Sequence, residues 1–281
     1  QSGSAHESDE HGSESSEGSD SWLADALHVP ADCETVEEAV KRAAVGQTIV
    51  IAAGEYTWPG RIDVDKVLHI VGDADPQNGV PLTVLNGRWR LCVPPPVKWD
   101  MDPITTGSFT DVRCQTVGGY CVQITGMHWE MVNSRFLCSG GTAMFVQHGH
   151  VTMDRSWAGG LKDDMVANSA IVVSNQAKVF LSHSALRNSK TGAFLRDQGA
   201  LYSVDSEVHR VCIAFGCELP NECEMEVVRS RLHEIESVWH QNSRPTKLIQ
   251  KGNYDVYGQP IHLHGDCDGA HVFQTQDLKS K

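Results

Sequence analysis

The sequence is short of positive charge. Its 23 Lys and Arg stand against 36 Asp and Glu, for a formal net charge of −13, and no basic stripe interrupts the acidic background. Nucleic acids and anionic membrane surfaces are recognised through clustered Lys and Arg, so neither is an expected partner. No stretch approaches the roughly 20 apolar residues of a membrane span, and no basic-then-apolar signal segment opens the chain. It starts at Gln1 rather than Met, as a fragment or processed form would, so targeting is not read from it. The Cys-x-x-Cys knuckle is also missing, which removes a structural zinc site from the expectations. The nine cysteines are odd in number and scattered. They are expected chiefly as small buried apolar residues, with Cys212, Cys217 and Cys223 near enough in sequence to include one local bridge.

The chain does have the means to bury a core. It has 281 residues, 40% of them hydrophobic and 21% charged, an ordinary globular balance. The exception is residues 1–21, almost wholly Ser, Gly, Glu, Asp and His up to Asp20. Such a segment cannot offset its ordering entropy and is expected to be a disordered acidic tail. A folded domain is expected over 22–260, followed by a His- and Asp-containing tail over 261–281.

Thr35 followed by Glu38 reads as a capping box, and Val36, Ala39, Val40 and Ala43 recur at helical spacing, with Gly46 at the expected end. QTIVIAAGEY, VLHIVGD and PLTVLNG then read as three short strands. From Gly126 the chain repeats. Ser134, Ser156, Ser184, Ser206 and Ser230 follow one another at intervals of 22, 28, 22 and 24 residues. Five positions before each stand Trp129, Val151, Val179, Leu201 and Met225; three before stand Met131, Met153, Leu181, Ser203 and Val227. Period-two alternation places one face inward. A second apolar strand follows in each unit: TAMFV, SAIVV, GAFLR, CIAF and ESVW. The 28-residue interval marks an insertion around AGGLKDD. Units that cannot bury their inner faces alone must stack, with a cap at the open end. The expected fold is therefore all-β: a right-handed, single-stranded parallel β-helix, capped by the short N-terminal helix. The serine column is expected to satisfy backbone groups at a repeated turn.

TVEEAVKRAAVGQTIVIAAGEY, with RIDVDKVLHIVGD and TVLNG, resembles the opening of pectin-lyase-like β-helix proteins, pectin methylesterases in particular. The later repeats resemble the β-helix recognition domains of F-box and SHC-binding proteins. Together the resemblance covers residues 32–241. It implies fold more than activity, because this scaffold carries lyases, hydrolases, esterases, epimerases and non-catalytic modules. The Gln-Asp-Thr-Leu and Asp-Phe-Ile-Phe-Gly segments of the methylesterases and the Asp-Pro-His motif of the epimerases are absent.

LKDDMVANSA resembles the paired-acid segment of polygalacturonases, which makes Asp163 and Asp164 candidate catalytic carboxylates. An inverting hydrolase needs its carboxyls about 6.5 to 9.5 Å apart, and SGGTAMFVQH offers no acid from the preceding rung. The lyases of this fold use Ca²⁺ on clustered carboxylates with a basic residue as the base. Asp154, Asp163 and Asp164 with Lys162, Arg155 or Arg187 would imitate them, so Ca²⁺ is the one cofactor in view. His148, His150 and His183 fall on neighbouring rungs. His262, His264, Asp266, Cys267, Asp268 and His271 crowd ten residues and form a candidate transition-metal cluster. Trp89, Trp99, Trp157 and Trp239 are candidates to stack on sugar rings or anchor a partner. Trp157, Asp154 and Lys162 form the candidate ligand site beside the insertion.

The expected function is a non-catalytic recognition module for a polysaccharide or protein partner. A divergent polysaccharide-active enzyme using Asp163, Asp164 and Arg187, or a structural subunit of a larger assembly, are the alternatives.

Overall fold

The computed structural model describes residues 25–92, 106–163, 166–218, 222–240 and 243–263. The acidic tail, Trp99 in its proline-rich loop, Asp164, and the cluster members His264, Asp266, Cys267, Asp268 and His271 lie outside the described residues.

The chain winds into a parallel β-solenoid. A ten-stranded sheet runs its length and includes His128–Val132, His150–Asp154, Lys178–Ser182, Ala200–Val204 and Glu224–Val228. An 11-stranded sheet wraps the remaining sides. In the middle rungs its two sides are separate short strands, such as Arg135–Ser139 and Thr142–Gln147. In the later rungs single long strands, Ala185–Leu195, Glu207–Cys217 and Arg231–Trp239, cover both sides. These bend at Asn188, Arg210 and Glu234, each with φ near +50°. Each rung thus shows three faces, called first, second and third in chain order.

Period-two alternation sets what is buried. Trp129, Met131, Val151, Met153, Val179, Leu201, Met225 and Val227 all point inward and are essentially inaccessible. The helix Val36–Arg42 buries Val36, Ala39 and Val40 against the first rung. Thr35 Oγ1 accepts from the Glu38 N–H at 3.1 Å, and Glu38 accepts in return from the Glu34 N–H at 3.1 Å. The helix stops at Ala43, three residues short of Gly46, whose φ of 75° instead turns the chain into the next strand. Trp89 and Trp239, expected at the surface, are core residues at 0% and 3% exposure. Trp89 lies edge-on to Trp58 and Phe109, at centroid distances of 5.1 and 5.2 Å. Gly107 has a sterically required lack of side chain: a Cβ there would come within 2.4 Å of the Trp129 ring on the next rung. All eight cysteines of the described residues are free, and six of them are buried.

The serine column is a hydrogen-bond ladder. The N–H groups of Ser134, Ser156 and Ser184 each donate to the serine hydroxyl of the following rung, at 3.0 to 3.2 Å. Each hydroxyl donates in turn to a carbonyl two residues back, so buried polar groups at a two-residue corner are paired without water. Ser203 stands where the other rungs have Met, Leu or Val, and its hydroxyl meets that of Ser230 at 3.2 Å. Asn253 takes the ladder position in the last rung and accepts from the Ser230 N–H at 3.0 Å.

Candidate functional site

The residues that follow the ladder serines form the second face. One position on, Arg113, Arg135, Trp157, Ala185, Glu207 and Arg231 stack in one outward column. Two positions further, Gln115, Leu137, Gly159, Arg187, His209 and His233 make a second column. Neighbouring rungs of a parallel sheet stand about 4.8 Å apart, so each column is a ladder of aligned side chains.

Trp157 is half-buried between two cations. The Arg135 guanidinium from the preceding rung is 4.2 Å from its ring centroid, and that of Arg187 from the following rung is 3.6 Å away. Ala185 beside the indole leaves room for the Arg187 side chain to fold back over it. Both ring faces are therefore covered, and Trp157 is not available to stack on a sugar. The same geometry governs the first face, where Phe180 and Tyr202 stack on each other at 4.8 Å and 10°. Rings stacked along the solenoid axis turn edges, not faces, to solvent.

The cations of the second face differ in their pairing. Arg210 binds Asp163 and Glu234, each at 2.9 Å, and Arg231 binds Glu207 at 3.1 Å. Among the described residues, Arg113, Arg135 and Arg187 have no carboxylate in ion-pair contact. Burial, and then their mutual repulsion, lowers the pKa of Arg135 and Arg187 without threatening their charge. His209 and His233 stack in parallel at 4.9 Å. Burial and then His233 pull His209 down to about 4, so it is neutral at physiological pH. The nearest carboxylate oxygen to His233 Nδ1 is on Glu234 at 3.6 Å, beyond hydrogen-bond reach.

A groove of about 630 Å³ opens beside these columns, lined by Asn86, Arg88, Gln115, Thr116 and Gly119 and bounded by Trp58 and Leu161. Gln115 Nε2 donates to Asn86 Oδ1 at 2.6 Å, while its own Oε1 is shielded and unpaired. Leu161 belongs to the insertion, which leaves the strand Trp157–Gly159 at Gly159 and is held by a bond from the Gly160 N–H to the Arg187 carbonyl at 3.2 Å.

The structure separates the sequence candidates. Asp163 sits at the junction of the second and third faces, exposed, with Arg210 and with Asn188 Nδ2 at 3.3 Å. Its charge also acts on Arg187. Asp154 ends a first-face strand at the opposite corner, held by Arg155 at 2.9 Å and lying 3.6 Å from His183. Asp154 and Asp163 thus do not share a site, and the Ca²⁺ arrangement that joins them is not formed. Lys162 is exposed, as are His148, His150, His183 and His262. Among the described residues no three His, Cys, Asp or Glu side chains are placed to hold a metal. Arg113, Arg135, His209 and His233 were not among the sequence candidates, although the serine alignment carried three residues further displays Arg135, His209 and His233; Arg113 follows Val112, one rung before the first ladder serine.

No protein-family model and no curated protein matches the chain. Among solved structures, the pectin methylesterase PemA from Erwinia chrysanthemi is similar over 85% of this chain and 90% of its own, at 12% identity and a TM-score of 0.51. A pectin methylesterase from Aspergillus niger in deglycosylated form is similar over 86% and 92%, at 11% identity and a TM-score of 0.49. Pectate lyase Pel9A is similar over 80% and 76%, at 11% identity and a TM-score of 0.46. At such identities the likeness is one of architecture, and the chain has the all-β, right-handed parallel β-helix fold of the pectin-lyase-like proteins.

Proposed function

We propose that this β-helix is a non-catalytic recognition module that binds a glycan chain along its second face. One observation carries the reading: an open groove with a polar floor of Asn86, Arg88 and Gln115 adjoins columns whose Arg113, Arg135 and Arg187 have no carboxylate partner among the described residues. A polyhydroxyl ligand is matched by such convergent donors and acceptors. A protein partner would favour exposed aromatic faces as anchors, and the rings here are covered or edge-on. In this reading Asp163, tied to Arg210, clamps the insertion rather than reacting. The second reading is a divergent polysaccharide-active enzyme using Asp163 and Asp164, and the contact of Asp163 with Asn188, the residue after Arg187, favours it.

Wild type and Asp163→Asn, offered a panel of neutral and uronic-acid polysaccharides, separate the two. The expected result is retention of at least one polymer in affinity electrophoresis, equal for both proteins, with no new reducing ends and no methanol release. Cleavage or de-esterification by wild type, lost in Asp163→Asn, would overturn the recognition reading in favour of the enzyme.

A further inference from the structure

We infer that the second face is an oxyanion-binding strip, selecting a linear polysaccharide that bears carboxylate or sulfate groups. The inference rests on the glycan reading above and adds the ligand's charge.

Three guanidiniums, Arg113, Arg135 and Arg187, occupy a span of three rung steps, roughly 14 Å along the solenoid axis. They sit on a chain of formal charge −13, in which other cations of this face are neutralised by Asp163, Glu207 and Glu234. Arg113 and Arg135 adjoin in one column and Arg187 stands in the next; half-buried like charges so placed repel one another, and both Arg135 and Arg187 register that repulsion. The repulsion and the desolvation are a standing cost to the fold unless an anion relieves them. The Arg135 and Arg187 guanidiniums both rest over the Trp157 ring, 4.2 and 3.6 Å from its centroid. A planar fork pre-oriented in this way loses little rotamer freedom when it meets a carboxylate or sulfate through two parallel hydrogen bonds. Arg88, one rung earlier in the adjoining groove, adds a further guanidinium beside the strip, although Val84 is the neighbour of Arg113 in its column. The even rung repeat suits a ligand whose charges also repeat along a line, and the acidic surroundings confine a polyanion to this strip.

Titration calorimetry at low salt would use four probes: polygalacturonate for carboxylate, dextran sulfate for sulfate ester, unmodified dextran, and a single-stranded oligonucleotide as a different polyanion. The proteins are wild type, Arg113→Gln, the triple variant Arg113→Gln/Arg135→Gln/Arg187→Gln, and Arg229→Gln as a charge control on another corner, where Arg229 pairs with Asp205. The expected result is binding of one or both charged polymers, weakening as salt rises. The probe that binds identifies the oxyanion. Affinity falls roughly tenfold in Arg113→Gln and roughly 100-fold in the triple variant, and is unchanged in Arg229→Gln. Among the described residues Arg113 stands over no aromatic ring, so its single variant keeps the test valid if the triple variant misfolds. Binding of dextran alone, equal in all variants, would overturn the inference and leave the glycan reading standing. Equal loss in Arg229→Gln, or comparable binding of a single-stranded oligonucleotide, would overturn the selectivity for this strip and this polymer class. Binding of none of the probes, with no other glycan bound, would overturn both readings.

Discussion

Trp89→Ala should lower stability by about 3 to 5 kcal/mol, the range for deleting a large aromatic from a packed core. The indole is completely buried and wedged edge-on between Trp58 and Phe109, with Phe109 in turn 6.0 Å from Trp129 and 6.1 Å from Phe136. This aromatic run links the N-terminal rungs to the regular repeats. A solenoid is stabilised by its nearest-neighbour interfaces, so a cavity at one interface uncouples the rungs on either side. Urea unfolding followed by far-ultraviolet circular dichroism should show an earlier midpoint or a split transition for Trp89→Ala. A loss below about 1 kcal/mol would mean that the indole is not the wedge described.

Gly159→Ala is expected to cost about 3 kcal/mol and to disturb the second face at the same time. A Cβ at this position would lie 1.7 Å from the Arg187 carbonyl oxygen, and φ is +152°, where side chains other than hydrogen are strained. Neither obstacle can be relieved by rotating a side chain, because the opposing atom is backbone. The short strand Trp157–Gly159 would have to part from Ala185–Leu195, carrying Arg187 off the Trp157 ring. A melting temperature lowered by several degrees, with altered intrinsic fluorescence, is the expected signature. Unchanged stability and fluorescence would contradict the close approach.

The fold was legible because one residue type marked one corner. The ladder serines fixed the register of five rungs, the inward positions three and five residues before them, and the rung that holds the insertion. What escaped notice was the outward side. Trp157 and Arg187 were candidates for other reasons, but Arg135 and Arg231, which directly follow ladder serines, and His209 and His233, three residues after them, belong to no acidic motif or histidine cluster of the linear sequence. Stacked sheets bring together residues some 22 to 28 positions apart, so clusters within ten residues, such as 262–271, are the wrong unit of search. Trp89 and Trp239 look alike to Trp157 in sequence, and only the parity of their strand positions sends them inward. The strand Gly54–Val64 runs through Pro59, because its register shifts between Thr57 and Arg61 and so spares the proline a ladder hydrogen bond. Asp154 and Asp163 are nine residues apart, but the ladder corner and the strand Trp157–Gly159 between them put them on opposite edges of the second face.

Hydrogen exchange with and without a bound polysaccharide tests the central claim most directly, because it locates the ligand without presuming its charge or fate. The account predicts added protection in the strands Val112–Val117, Arg135–Ser139 and Trp157–Gly159 and in the second-face half of Ala185–Leu195, with the first-face strands unchanged. Protection confined to His128–Val132, His150–Asp154 and Lys178–Ser182 would place recognition on the opposite side of the same rungs and contradict it.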